Sequence, residues 1–293
     1  KCQMHTPLHP AQPYIGRFAP SPTGGLHLGS LVAALASWLD ARAHHGIWRV
    51  RMEDVDTLRW VRGAETLILQ QLTHFGLTWD GEVLYQSQRT ALYTQALMQL
   101  PHCYACGCPR TRIKTLLLGV DGPIYDGHCR GQTAIFLPDT AIRITVPDAI
   151  IHFDDRLFGR QQQNLAHDVG DFIVRRRDGL FSYQLAVVVD DAAQGITHVV
   201  RGADILPSTA RQIFLQQQLG YATPQYAHLP LVLGADGSKL SKQSFAPVLP
   251  INTPPEPYLY QALHFLGLVI PADLNLADLL AAAVVAWGKS LQR

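Results

Sequence analysis

The stretch APSPTGGLHLGS, residues 19–30, crowds prolines and glycines into its first half and then sets a histidine, a glycine and a serine directly before a long apolar run, LVAALASWLDARA. Working outward, YIGRFAP (14–20) reads as a short strand ended by proline. Residues 30–45 read as a helix: Leu31, Leu35, Trp38 and Leu39 fall on one face at helical spacing, and Gly46 is placed to cap its C-terminus. IWRVRMED then alternates apolar and polar residues as a strand does, delivering Glu53 and Asp54 at its C-terminal end. A second helix is expected over about 63–75, closed by Gly76. Strand, helix, strand, helix predicts parallel βαβ units. In such a sheet the first strand-to-helix turn is an anion site, because unpaired N–H groups and the helix dipole both face whatever sits there. Gly24, Gly25 and Gly29 would let a large ligand approach the backbone, and His27 would add a donor for a phosphate. The two commonest phosphate loops, GxxxxGK[ST] and GxGxxG, do not occur. Taken alone, the stretch is equally compatible with a capping histidine on an ordinary loop.

Composition sets the frame. The chain has 293 residues, 47% hydrophobic and 16% charged, which suits a globular protein with one large core or two smaller ones. Its longest apolar stretches, such as LADLLAAAVVAWG, are too short or too charged to span a bilayer, so no membrane association is expected. KCQMHTPLHPAQP lacks the apolar middle of a signal peptide, and a cytoplasmic location is the default expectation. The net charge is +1, with basic and acidic side chains nearly balanced: 8 and 7 over residues 1–100, 7 and 7 over 101–170, 7 and 6 over 171–243, and 2 and 3 over 244–293. Bulk charge therefore does not hold this protein on nucleic acid; any RNA would have to meet a local groove.

The middle, 101–170, changes character, with scattered glycines and short alternating runs such as AIRITV, and reads as an insertion of small strands. It holds four of the five cysteines: Cys103, Cys106, Cys108 and Cys129, against Cys2 at the start. Three thiols within six residues and no secretory signal argue for a metal or free thiols rather than disulfides. Cys106, Cys108 and Cys129 would give a Zn²⁺ three of its four ligands, and the fourth could be Cys103, His102, His128 or Tyr125. From 171, DFIVRRRDGLFSYQLAVVVDD and THVVRGADILPSTARQIFLQQQLG read as buried strands followed by a helix capped by Ser208 and closed by Gly220. Arg175, Arg176 and Arg177 form either a phosphate contact or a solvated turn. After the proline-rich PVLPINTPPEP, two helices are expected.

GADGSKLSKQ, residues 234–243, sets Lys239 and Lys242 three apart in a small, polar loop able to close over a triphosphate. Together, HLGS and KLSK resemble the HIGH and KMSKS signatures of class I aminoacyl-tRNA synthetases. More narrowly, RFAPSPTGGLHLGS, RMEDVD, VVRGAD and SKLSK resemble, in order and over most of 14–245, the glutamyl subgroup. Ser30 and Gln243 depart from the signatures' usual final residues, and Leu28 and Leu240 are conservative apolar replacements.

The resemblance implies an α/β fold: a Rossmann-type parallel-sheet catalytic domain, with its first half over 14–100 and its second half, carrying the KMSKS-like loop, over 171–243. It further implies an inserted zinc-bearing acceptor subdomain over 101–170 and a small helical stem-contact tail over 244–293. It implies ATP with Mg²⁺ as substrate, served by His27, Gly29, Lys239 and Lys242, and L-glutamate held by Arg17, Phe18, Ala19, Pro20, Ser21, Glu53, Tyr183 and Arg201. Of these, an arginine fork matches a carboxylate and Glu53 suits an ammonium group, although Arg17 and Glu53 could equally be strand-end ion pairs and Tyr183 a core residue. For the metal it implies one structural Zn²⁺ on Cys106, Cys108, Tyr125 and Cys129, the C-x-C…Y-x-x-x-C pattern.

Only 50 residues follow Gln243, too few for an anticodon-reading module. In this the chain resembles the glutamyl-queuosine tRNA(Asp) synthetases, which activate glutamate without requiring tRNA and attach it to queuosine in the anticodon loop. The expected partner is then the tRNA(Asp) anticodon loop, whose single-stranded bases can be splayed into a pocket, and the expected state is a monomer. The alternatives are a minimal glutamyl-tRNA synthetase charging the tRNA 3′ end, a nucleotidyltransferase with a small-molecule acceptor, and a non-catalytic tRNA-binding relative.

Overall fold

The computed structural model describes residues 13–119, 121–132, 135–232 and 247–290. Strand β1 (Ile15–Phe18) leads into helix α1 (Leu28–Ala43) and strand β2 (Ile47–Met52), then helix α2 (Ala64–His74) and the short strand β3 (Leu84–Tyr85). β1, β2 and β3 form one parallel sheet, with Arg17 opposite Arg49 and Arg51 opposite Leu84. α1 is buried on nearly every side from Leu31 to Ala41, so it is the central helix of the fold. Leu31, Leu35 and Leu39 are fully buried there, each contributing about 1.5–3 kcal/mol. The helix starts two residues earlier than the apolar spacing suggests, because His27 caps it. It also ends earlier, with the left-handed residue at His45 (φ 52°) rather than Gly46. Gly46 matters for another reason: a Cβ there would stand 2.5 Å from the Tyr14 carbonyl oxygen.

Helix α3 (Thr90–Gln99) leads into strand β4 (Cys103–Cys106), helix α4 (Arg110–Ile113) and the hairpin of β5 (Leu118–Gly119) and β6 (Gly122–Pro123). Strands β7 (Ala141–Ile144), β8 (Ile150–Asp155) and β9 (Gly159–Asn164) follow, then helix α5 (Leu165–Asp168) and strand β10 (Phe172–Arg175). β4, β7 and β10 make an antiparallel sheet, while the β8–β9 hairpin joins the main body by pairing with a later strand.

Helix α6 (Tyr183–Ala193), strand β11 (His198–Gly202), helix α7 (Thr209–Leu219) and strand β12 (Gln225–Leu229) complete the parallel system. β11 pairs parallel with β12, and β12 with β8. Here the structure corrects an expectation: LAVVVDD is not a strand but the middle of α6, started by the Ser182 side chain accepting from the Leu185 N–H. The valine run has strand propensity, but Asp190 and Asp191 at its end are buried and held by partners on other elements, and tertiary packing overrides the propensity. Ser208 precedes α7 as expected without making a capping bond; its hydroxyl instead accepts from Gln184 and Arg211. Gly76 (φ 71°) and Gly220 (φ 69°) close their helices in the left-handed region.

Helices α8 (Glu256–Phe265) and α9 (Leu276–Ser290) pack into the same core as β1, α1, β2 and α2. At its centre lies Asp40, fully buried. It accepts from Tyr14, from both terminal nitrogens of Arg156 (2.6 and 2.9 Å) and from Trp287 Nε1 (2.9 Å). Burial acts against its charge, but these donors, Arg156 foremost, hold its carboxyl below the usual carboxylate range.

His198 stacks on Tyr14 at 4.0 Å, and burial, reinforced by the Arg156 charge, pushes its imidazole down to about 4. In the unfolded chain the ring takes a proton near pH 6.5. Its contribution to stability is therefore full above that value and is lost as pH falls towards 4. His198→Phe, which keeps the stack, should lose less stability than the parent between pH 6.5 and 4 in urea titrations; parallel curves would refute the assignment.

Candidate active site

β1 and β11 lie side by side without a ladder between them. Thr197 joins them, its N–H donating to the Ile15 carbonyl and its hydroxyl oxygen accepting from the Ile15 N–H. Strand order reverses at this seam, and in open α/β sheets ligands settle outside the carboxyl ends of the strands there. A pocket of about 350 Å³ opens at that place. Arg17, Phe18, Ala19, Pro20, Ser21, Glu53, Tyr183 and Arg201 all line it, and so do His27 and Gly29 from the start of α1. Arg17 and Arg201, 184 positions apart, are thus gathered in one cleft. Lys239 and Lys242 lie outside the described residues.

The charges at the floor form one buried network. Asp191, on α6, receives Arg17 Nε at 3.2 Å and Arg51 NH1 at 2.8 Å, and Arg51 NH2 reaches Glu53 at 3.4 Å. The ion-pair reading of Arg17 and Glu53 therefore holds as local geometry, and both residues face the pocket as well. Burial raises Glu53 above the usual carboxylate range, against the lowering pull of Arg51 and Arg17. A cation arriving beside Glu53 would favour its charged form. Tyr183 is pushed up by burial and by Glu53, so it is a phenol and a donor.

Arg201 is held more tightly. Its Nε donates to His228 Nε2 (3.0 Å), NH1 to Gln212 (2.7 Å) and NH2 to the Thr209 hydroxyl (2.8 Å). His228 is fully buried, and its Nδ1 lies 2.6 Å from Asp155. Burial holds His228 below the usual imidazole value, so the ring is neutral, with its hydrogen on Nδ1 and its lone pair turned to Arg201. Asp155 also accepts from the N–H groups of Leu157 and Phe158, which help keep it ionised against its burial. Three of the five guanidinium N–H groups are spent on orientation, and the fork is fixed before any ligand arrives.

His27 does two things. Its Nδ1 accepts from the Ser30 N–H (3.3 Å) while its own N–H donates to Ser30 Oγ (2.8 Å), a reciprocal cap. With Nδ1 an acceptor, the neutral ring carries its hydrogen on Nε2, which makes that nitrogen the donor side. His27 is thus a capping histidine, and the helix start it caps lines the pocket.

Cys106, Cys108 and Cys129 bring their sulfurs within 4.8 Å of one another, and the Tyr125 hydroxyl lies 3.4 Å from Cys106 Sγ and 3.3 Å from Cys108 Sγ. Three thiols converging with one phenol oxygen as a fourth donor suit a tetrahedral metal. Burial opposes ionisation of Cys106, but Tyr125 and Arg143 hold its thiol down at about 7, close to a thiolate ligand. Burial and the surrounding thiols push the Tyr125 phenol up. Cys103 is excluded by strand geometry: on β4 it faces the side opposite Cys106, and burial raises it to about 12. Neither His102 nor His128 belongs to the group.

Sequence reasoning did not single out Arg51, Asp191, His228 or Asp155. Their cue would have been charged residues inside otherwise apolar runs. The arginine run is neither free nor simply solvated: Arg175 Nε donates to the Gly179 carbonyl, Arg176 pairs with Asp56 and Asp178, and Arg177 donates to the Gly107 and Cys108 carbonyls.

The family profile described as "tRNA synthetases class I (E and Q), catalytic domain" matches residues 15–252. A curated protein of Verminephrobacter eiseniae named glutamyl-Q tRNA(Asp) synthetase is 53% identical, covering 94% of this chain and 97% of its own. One of the same name from Klebsiella pneumoniae is 52% identical, covering 94% and 93%. Among solved structures, a glutamate-tRNA synthetase from Elizabethkingia anophelis superposes with a TM-score of 0.78 at 28% identity, over 95% of this chain and 66% of that one. Among the described residues no helix is long and apolar enough to cross a membrane.

Proposed function

Because the chain belongs to the class I (E and Q) tRNA synthetase family, alongside the glutamyl-Q tRNA(Asp) synthetases, we propose that it activates L-glutamate with ATP, without requiring tRNA, and transfers the glutamyl group to the queuosine base of the tRNA(Asp) anticodon loop. The observation that carries the first half is the charge layout of the pocket, with Arg17 and Arg201 as cations and Glu53 as the anion. Glutamate offers two carboxylates and one ammonium group. The name borne by the two glutamyl-Q tRNA(Asp) synthetases it resembles carries the second half.

In this reading the α-carboxylate of glutamate attacks the α-phosphate of ATP and pyrophosphate leaves. The nucleophile is already ionised, so no general base is needed, and the protein's work is positioning and charge stabilisation. Arg17 and Arg201 hold carboxylate oxygens, Glu53 the ammonium group, and Phe18 to Ser21 the pocket wall. The first turn of α1 and the His27 ring face the α-phosphate, with Gly29 leaving the backbone open to it. Lys239 and Lys242 serve the outer phosphates, and Mg²⁺ arrives on ATP. The enzyme acts as a cytoplasmic monomer.

For the cysteine group we propose a structural Zn²⁺ held by Cys106, Cys108 and Cys129, with Tyr125 as fourth donor. It would tie β4 to the 125–129 turn. Cys129→Ser should abolish stoichiometric zinc in metal analysis, whereas Tyr125→Phe should weaken retention against a chelator about 10–100-fold. Full zinc retention in both variants would refute the ligand set.

The acceptor is tested with labelled glutamate, ATP and tRNA(Asp) with or without queuosine, each either intact or trimmed of its terminal adenosine. Labelling that requires queuosine and survives trimming is expected. Labelling that ignores queuosine and vanishes on trimming would instead establish 3′-end charging.

A further inference from the structure

A second pocket, of about 340 Å³, adjoins the first and has no part in the chemistry above. The two share a wall. The Glu53 N–H donates to the Pro20 carbonyl (2.9 Å) and the Val61 N–H to the Pro22 carbonyl (3.0 Å), so the 54–61 segment lies along the loop that lines the glutamate pocket. Glu53 faces one cavity and the next residue, Asp54, lines the other.

The lining of this second cavity is flat and rich in acceptors. Trp60 and Tyr85 supply rings and Pro22 a third apolar surface, while Asp54 and Glu65 supply carboxylates. The walls are braced: Trp60 Nε1 donates to Glu65 (3.2 Å), and Asp54 accepts from the Ser87 N–H (2.8 Å) and hydroxyl (2.6 Å). Among the described residues, no lysine, arginine or histidine lines the cavity. A phosphate or a carboxylate would therefore be repelled from it. The cations nearest in the chain, Arg59 and Arg62, flank Trp60 and are exposed, Arg59 being paired with Asp56 at 2.9 Å. Trp60 itself is 44% exposed, next to the exposed Leu58 and Val61. The other tryptophans are buried or partly buried.

An aromatic platform with carboxylates at its edge and cations outside it matches one ligand chemistry. That ligand is a single unstacked nucleobase, with N–H or amine donors along its edge and backbone phosphates on either side. We propose that this pocket receives the acceptor base of the tRNA loop, stacked on Trp60 with its donor edge towards Asp54 and Glu65. This holds the base beside the activated carboxyl group in the neighbouring pocket. The inference rests on the proposed transfer to a tRNA base and names the subsite that performs it.

The test uses the full chain, queuosine-containing tRNA(Asp), and the variants Trp60→Ala and Trp60→Phe. Glutamate-dependent ATP–pyrophosphate exchange should stay within about twofold of the parent in both, which also reports an intact fold. For transfer to tRNA, the KM of Trp60→Ala should rise about tenfold or more, and Trp60→Phe should recover most of that loss. The tRNA should quench the tryptophan fluorescence of the parent, and the quench should largely disappear in Trp60→Phe. An unchanged KM in Trp60→Ala, or an undiminished quench in Trp60→Phe, would overturn the subsite while leaving the proposed function standing. If the parent labels only the 3′ end, the functional reading fails, and the subsite with it.

Discussion

Arg201→Ala is expected to lower kcat/KM for glutamate in ATP–pyrophosphate exchange by about a thousandfold, or ~4 kcal/mol, the scale of removing one partner from a buried, charge-assisted pair. The substitution removes the cation and also strands its supports, since His228, Gln212 and Thr209 all lose the donor they were arranged around. Arg201→Lys should recover little, because an ammonium group cannot reproduce the fork that engages three partners at once. His228→Asn separates holding from positioning. With the guanidinium present but less constrained, KM for glutamate should rise about tenfold while kcat changes little. A wild-type KM in His228→Asn would mean that the Asp155–His228 pair does not orient Arg201. Near-normal exchange in Arg201→Ala would remove the residue from glutamate recognition altogether.

The second large effect concerns stability. Asp40→Ala should cost about 3–5 kcal/mol, read as a lower urea midpoint, because it leaves Arg156, Tyr14 and Trp287 without their common acceptor. The sign with pH follows from the lowered carboxyl. Asp40 contributes fully above the unfolded carboxylate range and loses its contribution as pH falls through its own lower value, so the parent and the variant should converge in acid. In an Arg156→Met background the same substitution should cost less, since no buried cation remains to be stranded. Equal losses in the two backgrounds would show that the pair is not coupled.

Much of this site could be read from the chain, because its chemistry is local. The turn at 19–30, the strand end at 53 and the VVRGAD segment each carry their polar residues at strand termini, and strand termini of a parallel sheet converge. The cysteine spacing was informative for the same reason: a C-x-C pair and a one-turn Tyr125–Cys129 pair form compact units that need only meet once. The hidden part is the supporting layer. Asp191 lies in a valine-rich run that imitates a strand, and His228 sits in QYAHL, a short strand buried from Tyr226 to Leu229 that reads like any other piece of core. Their importance arises when α6 and β12 pack behind Arg17 and Arg201, with Arg51 and Asp155 as further partners. Nothing within either segment indicates which side chains it will meet.

The Asp40 hub also bears on how the molecule is made. Its partners include Trp287, 247 positions later, and the core around α1 draws on residues from Tyr14 to Leu77 and again from Leu249 to Trp287. A ribosome synthesising this protein therefore releases the opening βαβ segment long before the helices that cover it exist. Until α9 leaves the exit tunnel, a buried aspartate lacks one of its donors and an apolar helix lacks its roof, so the core around α1 can close only once synthesis is nearly finished.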